Sequence, residues 1–186
     1  YFSPRRYEHI ASLARDHFPK LKSRYAYRAK ASQVELFSRF SIPHPRTAVL
    51  NEPKEVQGLA DLNELPMGLP FVLKGDRGGG GSAVFLIQSI PDLHHALDSL
   101  PGHEPVLVQE LIDHGGRDLR VVVMGSLVRS YFRRGADPFY NNVSKGALVD
   151  HCLEPDLQRQ GRDLALDISR AHGTDLADLD IMFRHA

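Results

Sequence analysis

Apolar residues recur every three or four positions in some stretches and every second position in others, which predicts alternating helices and strands. The predicted helices are residues 31–40, 53–62, 91–100 and 155–172. The predicted strands are residues 47–50, 70–74, 83–88, 106–109, 119–124, 127–133 and 179–183. Gly125-Ser126 separates two of these strands by a two-residue turn, as in a β-hairpin. Regular parallel βαβ repeats are missing from this order, so we expect an α+β fold of two α/β lobes that share a cleft.

Composition narrows the class of protein. The 186 residues are 42% hydrophobic and 25% charged, which is typical of a globular chain. Lys plus Arg and Asp plus Glu number 23 each, so no overall charge draws the chain to nucleic acid or to a membrane surface. Cys152 is the one cysteine, which excludes an internal disulfide and a cysteine-rich zinc site and favours the cytoplasm.

Residues 1–28 form a basic entry segment with helical spacing of Ile10, Leu13 and Ala14. We interpret it mainly as a solvated helix face, with binding of an acidic partner as the alternative. Because the chain starts without Met and without an apolar signal sequence, we expect it to be a portion of a longer protein.

The strongest local motif is a lysine at a strand end followed by glycines, Lys74-Gly75-Asp76-Arg77-Gly78-Gly79-Gly80-Gly81-Ser82. Glycine backbone can approach phosphate oxygens closely, and the ammonium group neutralises phosphate charge. The sequence matches neither the Walker A pattern nor Gly-x-Gly-x-x-Gly. It therefore predicts a phosphate-binding loop of another kind, with a plain flexible loop as the alternative.

Other polar motifs follow in a fixed order along the chain. They are Lys30 at a helix start, the turn Ile42-Pro43-His44-Pro45 before Thr47, the Lys74 loop, Gln109-Glu110-Leu111-Ile112, Asp118-Leu119-Arg120, Arg133-Arg134 and Asn141-Asn142-Val143-Ser144-Lys145-Gly146. Over residues 29–183 this ordered set resembles the ATP-grasp superfamily, and within it the RimK-like carboxylate–amine ligases. The resemblance implies an ATP-grasp fold with the nucleotide cleft between a small lobe, residues 29–105, and a large lobe, residues 106–186.

The resemblance also implies residue roles. Lys30 and Lys74 would reach the ATP phosphates, and the loop carrying Gly78, Gly79, Gly80 and Gly81 would fold over them. Gln109, Glu110, Leu111 and Ile112 would form the hinge that offers main-chain N–H and C=O groups to adenine. Asp118 would accept the ribose hydroxyls. Arg120 and Arg133 would face the γ-phosphate and the oxygens of the acyl phosphate, and Asn142 would lie beside the metal and phosphate site. Asp180 would bind Mg²⁺, with Mn²⁺ as an alternative metal.

Simpler readings of these residues stay open. Arg120 and Arg133 could be cross-strand surface charges, and Asp118 could cap a turn. The family's second metal-binding motif, Glu-x-Asn on a following strand, is not present in the sequence. Asp180 with Asn142 alone would bind Mg²⁺ poorly, so either the sequence is part of a longer enzyme, which we favour, or it is a degenerate binder.

By resemblance, we expect an ATP-dependent ligase that activates a carboxylate as an acyl phosphate and joins it to an amine, forming an amide or peptide-like bond. Its partners would be ATP and small carboxylate and amine substrates or a peptide terminus. The positive charge of Arg133, Arg134 and Lys145 predicts an anionic carboxylate substrate, with solvated charges as the alternative. A non-catalytic nucleotide-binding or regulatory module is the competing hypothesis. The sequence does not indicate an oligomeric state.

Overall fold

The structure is a computed structural model that describes residues 4–20, 29–52, 56, 67–137 and 139–184. The chain divides into two compact units, one formed by Ala29–Asp113 and the other by His114–Ala186 together with Tyr1–Arg28. The boundary therefore follows residue 113, whereas the sequence predicts it between residues 105 and 106. The strand of residues 106–110 explains the difference, because it lies inside the sheet of the first unit.

The Ala29–Asp113 unit contains two helices and a four-stranded sheet among its described residues. The helices are α2 (Lys30–Arg39) and α3 (Ile90–Asp98), and the strands are β1 (Thr47–Leu50), β2 (Phe71–Gly75), β3 (Val84–Ile87) and β4 (Val106–Glu110). The strand order of this first sheet is β1-β4-β2-β3, and every neighbouring pair is antiparallel.

One face of the first sheet carries the hydrophobic core of this unit. Phe71, Leu73 and Val108 alternate inward along their strands and pack with Leu93 and Leu97 of α3. Helix α3 begins after Ser89, whose hydroxyl accepts a hydrogen bond from the Asp92 amide at 3.3 Å, as N-cap residues do. The opposite face of the sheet is left for Thr47, Gln109 and Lys74, which lie at the alternate positions.

The other unit contains a second antiparallel sheet. Its strands are β5 (Arg117–Met124), β6 (Leu127–Arg134), β7 (Leu148–Asp150) and β8 (Leu176–Ile181), in the order β7-β6-β5-β8. The 18-residue helix α4 (Pro155–His172) contacts this sheet, a 3-10 turn spans Val143–Lys145, and helix α1 (Pro4–Leu13) belongs to the same unit.

Helix α4 packs on the face of the second sheet that carries Leu119, Val121 and Val123. It approaches most closely at Gly161, where a Cβ atom would lie 2.3 Å from the Cδ2 atom of Leu119. The alternate positions of β5, β6 and β8 lie on the opposite face, which carries the charged residues of the candidate site.

The structure confirms the α+β class with antiparallel sheets and most predicted elements, with small differences in their bounds. Strand β8 spans Leu176–Ile181 rather than 179–183, and the three-residue strand β7 was not predicted. The helix predicted over 53–62 falls outside the described residues, apart from the buried Val56. Of the basic entry segment, Pro4–Leu13 is helical and residues 21–28 lie outside the described part of the chain. Within the described residues, no helix combines the length and apolar character that crossing a bilayer requires.

Candidate functional site

The glycine-rich segment lies between the ends of β2 and β3. Three of its glycines adopt positive φ angles, 115° at Gly78, 64° at Gly80 and 79° at Gly81. Side chains with a Cβ atom rarely adopt these angles, so the loop conformation itself requires glycine. A Cβ atom at Gly79 would meet nothing within 4 Å, which leaves its backbone open to close approach.

Lys30 lies at the root of this loop. Its Nζ atom donates a hydrogen bond to the carbonyl oxygen of Gly75 at 2.7 Å and lies 3.4 Å from that of Gly78. The Asp76 carboxylate accepts a hydrogen bond from the Ala31 amide at 2.8 Å, which ties the start of α2 to the same turn. Burial lowers the pKa of the Lys30 ammonium, although Asp76 and Glu104 act in the opposite direction. The ammonium is therefore at the loop but is oriented by main-chain carbonyls.

Lys74 lies on the polar face of the first sheet and contacts a neighbouring strand. Its Nζ atom donates to Oε1 of Gln109 at 2.6 Å, and Nε2 of Gln109 donates to Oγ1 of Thr47 at 2.8 Å. We call Thr47, Gln109 and Lys74 the polar row. Both polar atoms of the Gln109 amide therefore have hydrogen-bond partners. Gln109 is only 9% exposed, and buried polar groups require such partners.

The proposed adenine hinge begins within β4 and continues beyond it. The Glu110 amide donates to the carbonyl oxygen of Arg46 at 2.9 Å, and its carboxylate accepts from the Arg46 amide at 2.8 Å. Leu111 and Ile112 follow the strand, and the Ile112 side chain is buried. Because the ladder ends at Glu110, the peptide groups of Leu111 and Ile112 lie outside the sheet pairing.

The second sheet brings Asp118 and Arg133 together in a bidentate ion pair. Arg133 donates from Nε and Nη2 to the two carboxylate oxygens of Asp118 at 2.8 and 2.7 Å. Arg133 is 5% exposed and Asp118 is 8% exposed, so neither is a surface charge or a turn cap. Burial raises the pKa of the Asp118 carboxyl despite the opposing effect of Arg133.

Asp180 connects this pair to Arg120. Its carboxylate accepts hydrogen bonds from Arg120 Nε at 2.5 Å and Nη2 at 3.1 Å, and it lies 2.9 Å from Arg133 Nη2. Arg120 also contacts Asp178, at 3.3 Å. Asp118, Arg120, Arg133, Asp178 and Asp180 are called the charged cluster below. Sequence reasoning missed Asp178, although its two-residue spacing from Asp180 on one strand would have indicated a shared face.

Asn142 lies immediately before the 3-10 turn, and its carbonyl oxygen accepts a hydrogen bond from the Lys145 amide at 2.9 Å. The neighbouring Asn141 is buried, and its Oδ1 accepts from the Gly135 amide at 3.0 Å. Asn141 therefore anchors the segment, while Asn142 is partly exposed. The structure pairs Arg134 with Asp150 at 3.7 Å and places Lys145 Nζ 3.4 Å from the centre of the Tyr140 ring.

The charged cluster does not form a magnesium site by itself. Both oxygens of Asp180 accept hydrogen bonds from Arg120, and Asp118 is bound through both oxygens by Arg133. Across the described ranges, no group of three or more His, Cys, Asp or Glu residues has an arrangement that could hold a metal ion. Mg²⁺ prefers octahedral oxygen coordination, which one carboxylate engaged by arginines does not supply.

The chain matches known proteins in a family model, in sequence and in structure. Residues 27–186 match the model of the RimK-like ATP-grasp domain. The chain is 33% identical over 147 residues to human N-acetylaspartylglutamate synthase A, covering 76% of this chain and 36% of that protein. It is 37% identical over 121 residues to mouse β-citrylglutamate synthase B, covering 62% of this chain and 30% of that protein. A probable α-L-glutamate ligase of an Enterobacter strain is 28% identical over 159 residues, covering 83% of this chain and 51% of that protein.

Two solved structures show the same fold. A carboxyaminoimidazole ribonucleotide synthase of Aspergillus clavatus in complex with ATP has a TM-score of 0.71 at 18% identity, covering 98% of this chain and 48% of that one. An ATP-grasp RimK domain protein of Sphaerobacter thermophilus has a TM-score of 0.64 at 20% identity, covering 88% of this chain and 57% of that one. The chain thus spans about half or less of the length of the curated relatives it matches.

Proposed function

The chain belongs to the RimK-like ATP-grasp family, and from this we propose that it provides ATP-binding residues of an ATP-dependent carboxylate–amine ligase. In the proposed reaction, a substrate carboxylate oxygen attacks the γ-phosphorus of ATP and releases ADP. The amine then attacks the acyl carbon, loses a proton and displaces phosphate, leaving an amide. Such chemistry depends on positioning and charge neutralisation and needs no side-chain nucleophile.

The observation that carries the proposal is the arrangement of residues where the glycine loop follows β2, in the Ala29–Asp113 unit. Lys30 Nζ lies against the Gly75 and Gly78 carbonyls, and Lys74 is the last residue but one of the strand that leads into the loop. One ammonium group at the start of a glycine loop with positive φ angles, and a second on the strand that leads into it, supply charge and close backbone approach for phosphates. We propose that Lys30, Lys74 and residues 78–81 bind the ATP phosphates.

We assign the adenine to the peptide groups of Leu111 and Ile112, because those of Gln109 and Glu110 are in the sheet ladder. Gln109 and Glu110 then support the hinge through their side chains. Asp118 is the proposed ribose acceptor, since a carboxylate oxygen holding one guanidinium bond has a further lone pair for a hydroxyl.

Arg120 and Arg133 take different proposed roles. Arg133 is buried between Asp118 and Asp180, so it holds these carboxylates in place and contributes positive charge at short range. Arg120 has a 22% exposed side chain and faces half-exposed partners, so it can exchange Asp178 for a phosphate oxygen. We propose Arg120 and Asn142 as the residues that contact the transferred phosphoryl group.

ATP-grasp enzymes as a family use a divalent metal, and we propose Mg²⁺, with Mn²⁺ as the alternative. The described residues do not fit it alone, because Asp180 is engaged by arginines. Asp180 therefore contributes at most one ligand. This same observation favours the second candidate function, a nucleotide-binding module without catalysis, which would bind ATP and release no ADP.

We propose L-glutamate as the amine substrate. Support comes from three similar proteins whose names contain glutamate, the synthases of N-acetylaspartylglutamate and β-citrylglutamate and the probable α-L-glutamate ligase. The positive charge of Arg133, Arg134 and Lys145 does not itself support an anionic acid substrate, because each of them has a partner of its own. The single cysteine favours a reducing compartment, and we propose that the protein acts in the cytoplasm.

The decisive experiment is a calorimetric titration of Lys74→Ala with ATP. Loss of a charge-assisted hydrogen bond should raise the Kd about tenfold to a hundredfold, with Lys20→Ala as the exposed-lysine control. Equal affinity in the Lys74→Ala variant would refute the phosphate assignment. ADP release with glutamate and a panel of carboxylic acids, in MgCl2 or MnCl2, then separates the ligase from a module that binds ATP without turnover.

A further inference from the structure

The polar row crosses three neighbouring strands of the first sheet. Thr47 on β1 and Val72 on β2 are the register partners of Gln109 on β4. Lys74 lies two residues beyond Val72, so its side chain shares the face of Gln109 and Thr47 and reaches Gln109 diagonally. The core of this unit lies on the other face, so packing against that core does not explain these polar side chains.

Hydrogen-bond chemistry fixes the direction of the row. The Thr47 hydroxyl donates its single proton to the Pro45 carbonyl oxygen at 2.8 Å, so its oxygen can only accept from Gln109. At the other end, the Lys74 ammonium can only donate, so it requires the Oε1 atom of Gln109. The two ends impose the same orientation on the Gln109 amide, with Nε2 toward Thr47 and Oε1 toward Lys74.

This arrangement restricts the lysine without changing its charge. A lysine side chain has four rotatable bonds, and ordering it costs up to about 2 kcal/mol in conformational entropy. Gln109 is buried, and its side-chain amide makes two hydrogen bonds, so its oxygen is a fixed neutral acceptor for the ammonium. Part of the entropy cost of ordering Lys74 is therefore met before a ligand binds. A carboxylate at the same place would also orient the ammonium but would compete with a phosphate for its charge.

We propose that Thr47 and Gln109 are positioning residues that hold the Lys74 ammonium ready for ATP. This inference rests on the proposed function, in which Lys74 binds a phosphate. Thr47 acts through Gln109 and need not contact the nucleotide. Neither residue's side chain was assigned this role by the family resemblance, which gave Gln109 only a main-chain contact with adenine.

The test compares Thr47→Val, which removes the hydroxyl at nearly constant shape, with Thr47→Ser, which keeps it. Thr47→Val should raise the Kd for ATP about threefold to tenfold, the effect of one neutral hydrogen bond, and Thr47→Ser should restore it. Val49→Thr, at an exposed position of the same strand, is the matched control. Val is well tolerated in strands, and Gln109→Leu is the second variant if Thr47→Val does not fold.

A second measurement needs no nucleotide. The NMR order parameter of the Lys74 ε-carbon should fall in Thr47→Val and Gln109→Leu and stay at the wild-type value in Thr47→Ser. Unchanged order in both variants would overturn the inference, as would unchanged ATP affinity while Lys74→Ala loses binding. If Lys74→Ala binds ATP normally, the proposed phosphate site fails, and the order parameters still decide whether Thr47 and Gln109 hold Lys74.

Discussion

The two sheets hold their cationic side chains with different kinds of oxygen. In the unit of the first sheet, the amide of Gln109 orients Lys74, and main-chain carbonyls orient Lys30 at the start of α2. In the second sheet, three carboxylates surround two guanidinium groups, which gives the charged cluster a formal charge of −1. Neutral acceptors direct a cation and leave its charge for a ligand, whereas carboxylates neutralise it.

The two kinds of partner predict different responses of the cationic side chains to a phosphate. In the first unit, Lys30 and Lys74 donate to carbonyl and amide oxygens, and such neutral acceptors do not compete with an anion for the charge of the ammonium groups. Arg120 must first exchange a carboxylate for a phosphate oxygen, and Arg133 is more deeply buried still. On the proposed phosphate assignment, we therefore expect the affinity for ATP to depend mainly on Lys30 and Lys74.

The largest expected effect comes from breaking the buried pair. Arg133→Met leaves Asp118 buried without its guanidinium partner and should lower the free energy of unfolding by about 3–5 kcal/mol at pH 7 in urea titrations. Arg120→Met is the control on the same face, and with half-exposed partners it should cost about 1 kcal/mol or less.

The pH dependence of this variant follows from the raised pKa of Asp118. A carboxyl with a raised pKa in the folded state destabilises the fold when ionised, so the deficit of Arg133→Met should shrink as the pH falls toward 3.8. A loss below about 1 kcal/mol at pH 7 would show that the pair is no more than a surface contact.

An intermediate effect is expected when the neutral acceptor of the first sheet is replaced by a carboxylate, the kind of acceptor found in the second sheet. Gln109→Glu would place a carboxylate against the Lys74 ammonium and neutralise it, so the Kd for ATP should rise about tenfold or more. Gln109→Leu removes the acceptor without adding charge and should have the smaller effect. Calorimetry in which Gln109→Glu binds ATP as tightly as wild type would break the distinction between the two sheets.

The smallest expected effect concerns Lys30. Its pKa is lowered from 10.5 by burial, so between its folded value and 10.5 the unfolded chain binds more protons than the folded chain. The free energy of unfolding should therefore rise with pH in that window relative to Lys30→Met. An NMR titration of the Lys30 ε-carbon should give a midpoint below 10.5, and a midpoint at or above it would mean that carboxylates dominate there too.

The sequence predicted those elements whose limits carry strong local signals. Helix α4 was predicted with its observed bounds, because Pro155 starts it and Gly173 ends it in a left-handed conformation. Strand β7 was missed because three residues with two exposed apolar side chains carry no readable alternation. The start of β8 was not predicted because it contains Asp178, and aspartate is depleted in strands.

For the site, sequence motifs identified the types of residue but not their partners. Lys74 and Gln109 are 35 positions apart, and only the antiparallel register of β2 and β4 brings them together. In the same way, the pairing of Asp180 with Arg120 follows from the register of β5 and β8. Local patterns do not encode that register, so the neutralisation of the arginines could not be foreseen.

The close approach at Gly161 affects how mutational scans of this protein should be read. A methyl group there would press on Leu119, whose neighbours in β5 are Asp118 and Arg120 on the opposite face. The substitution Gly161→Ala would therefore disturb the charged cluster, although helix α4 supplies none of its residues. In an activity screen, substitutions at position 161 would lower activity as substitutions of a ligand-contacting residue do. Only a structural measurement would show that Gly161 acts by allowing α4 to lie close to the sheet.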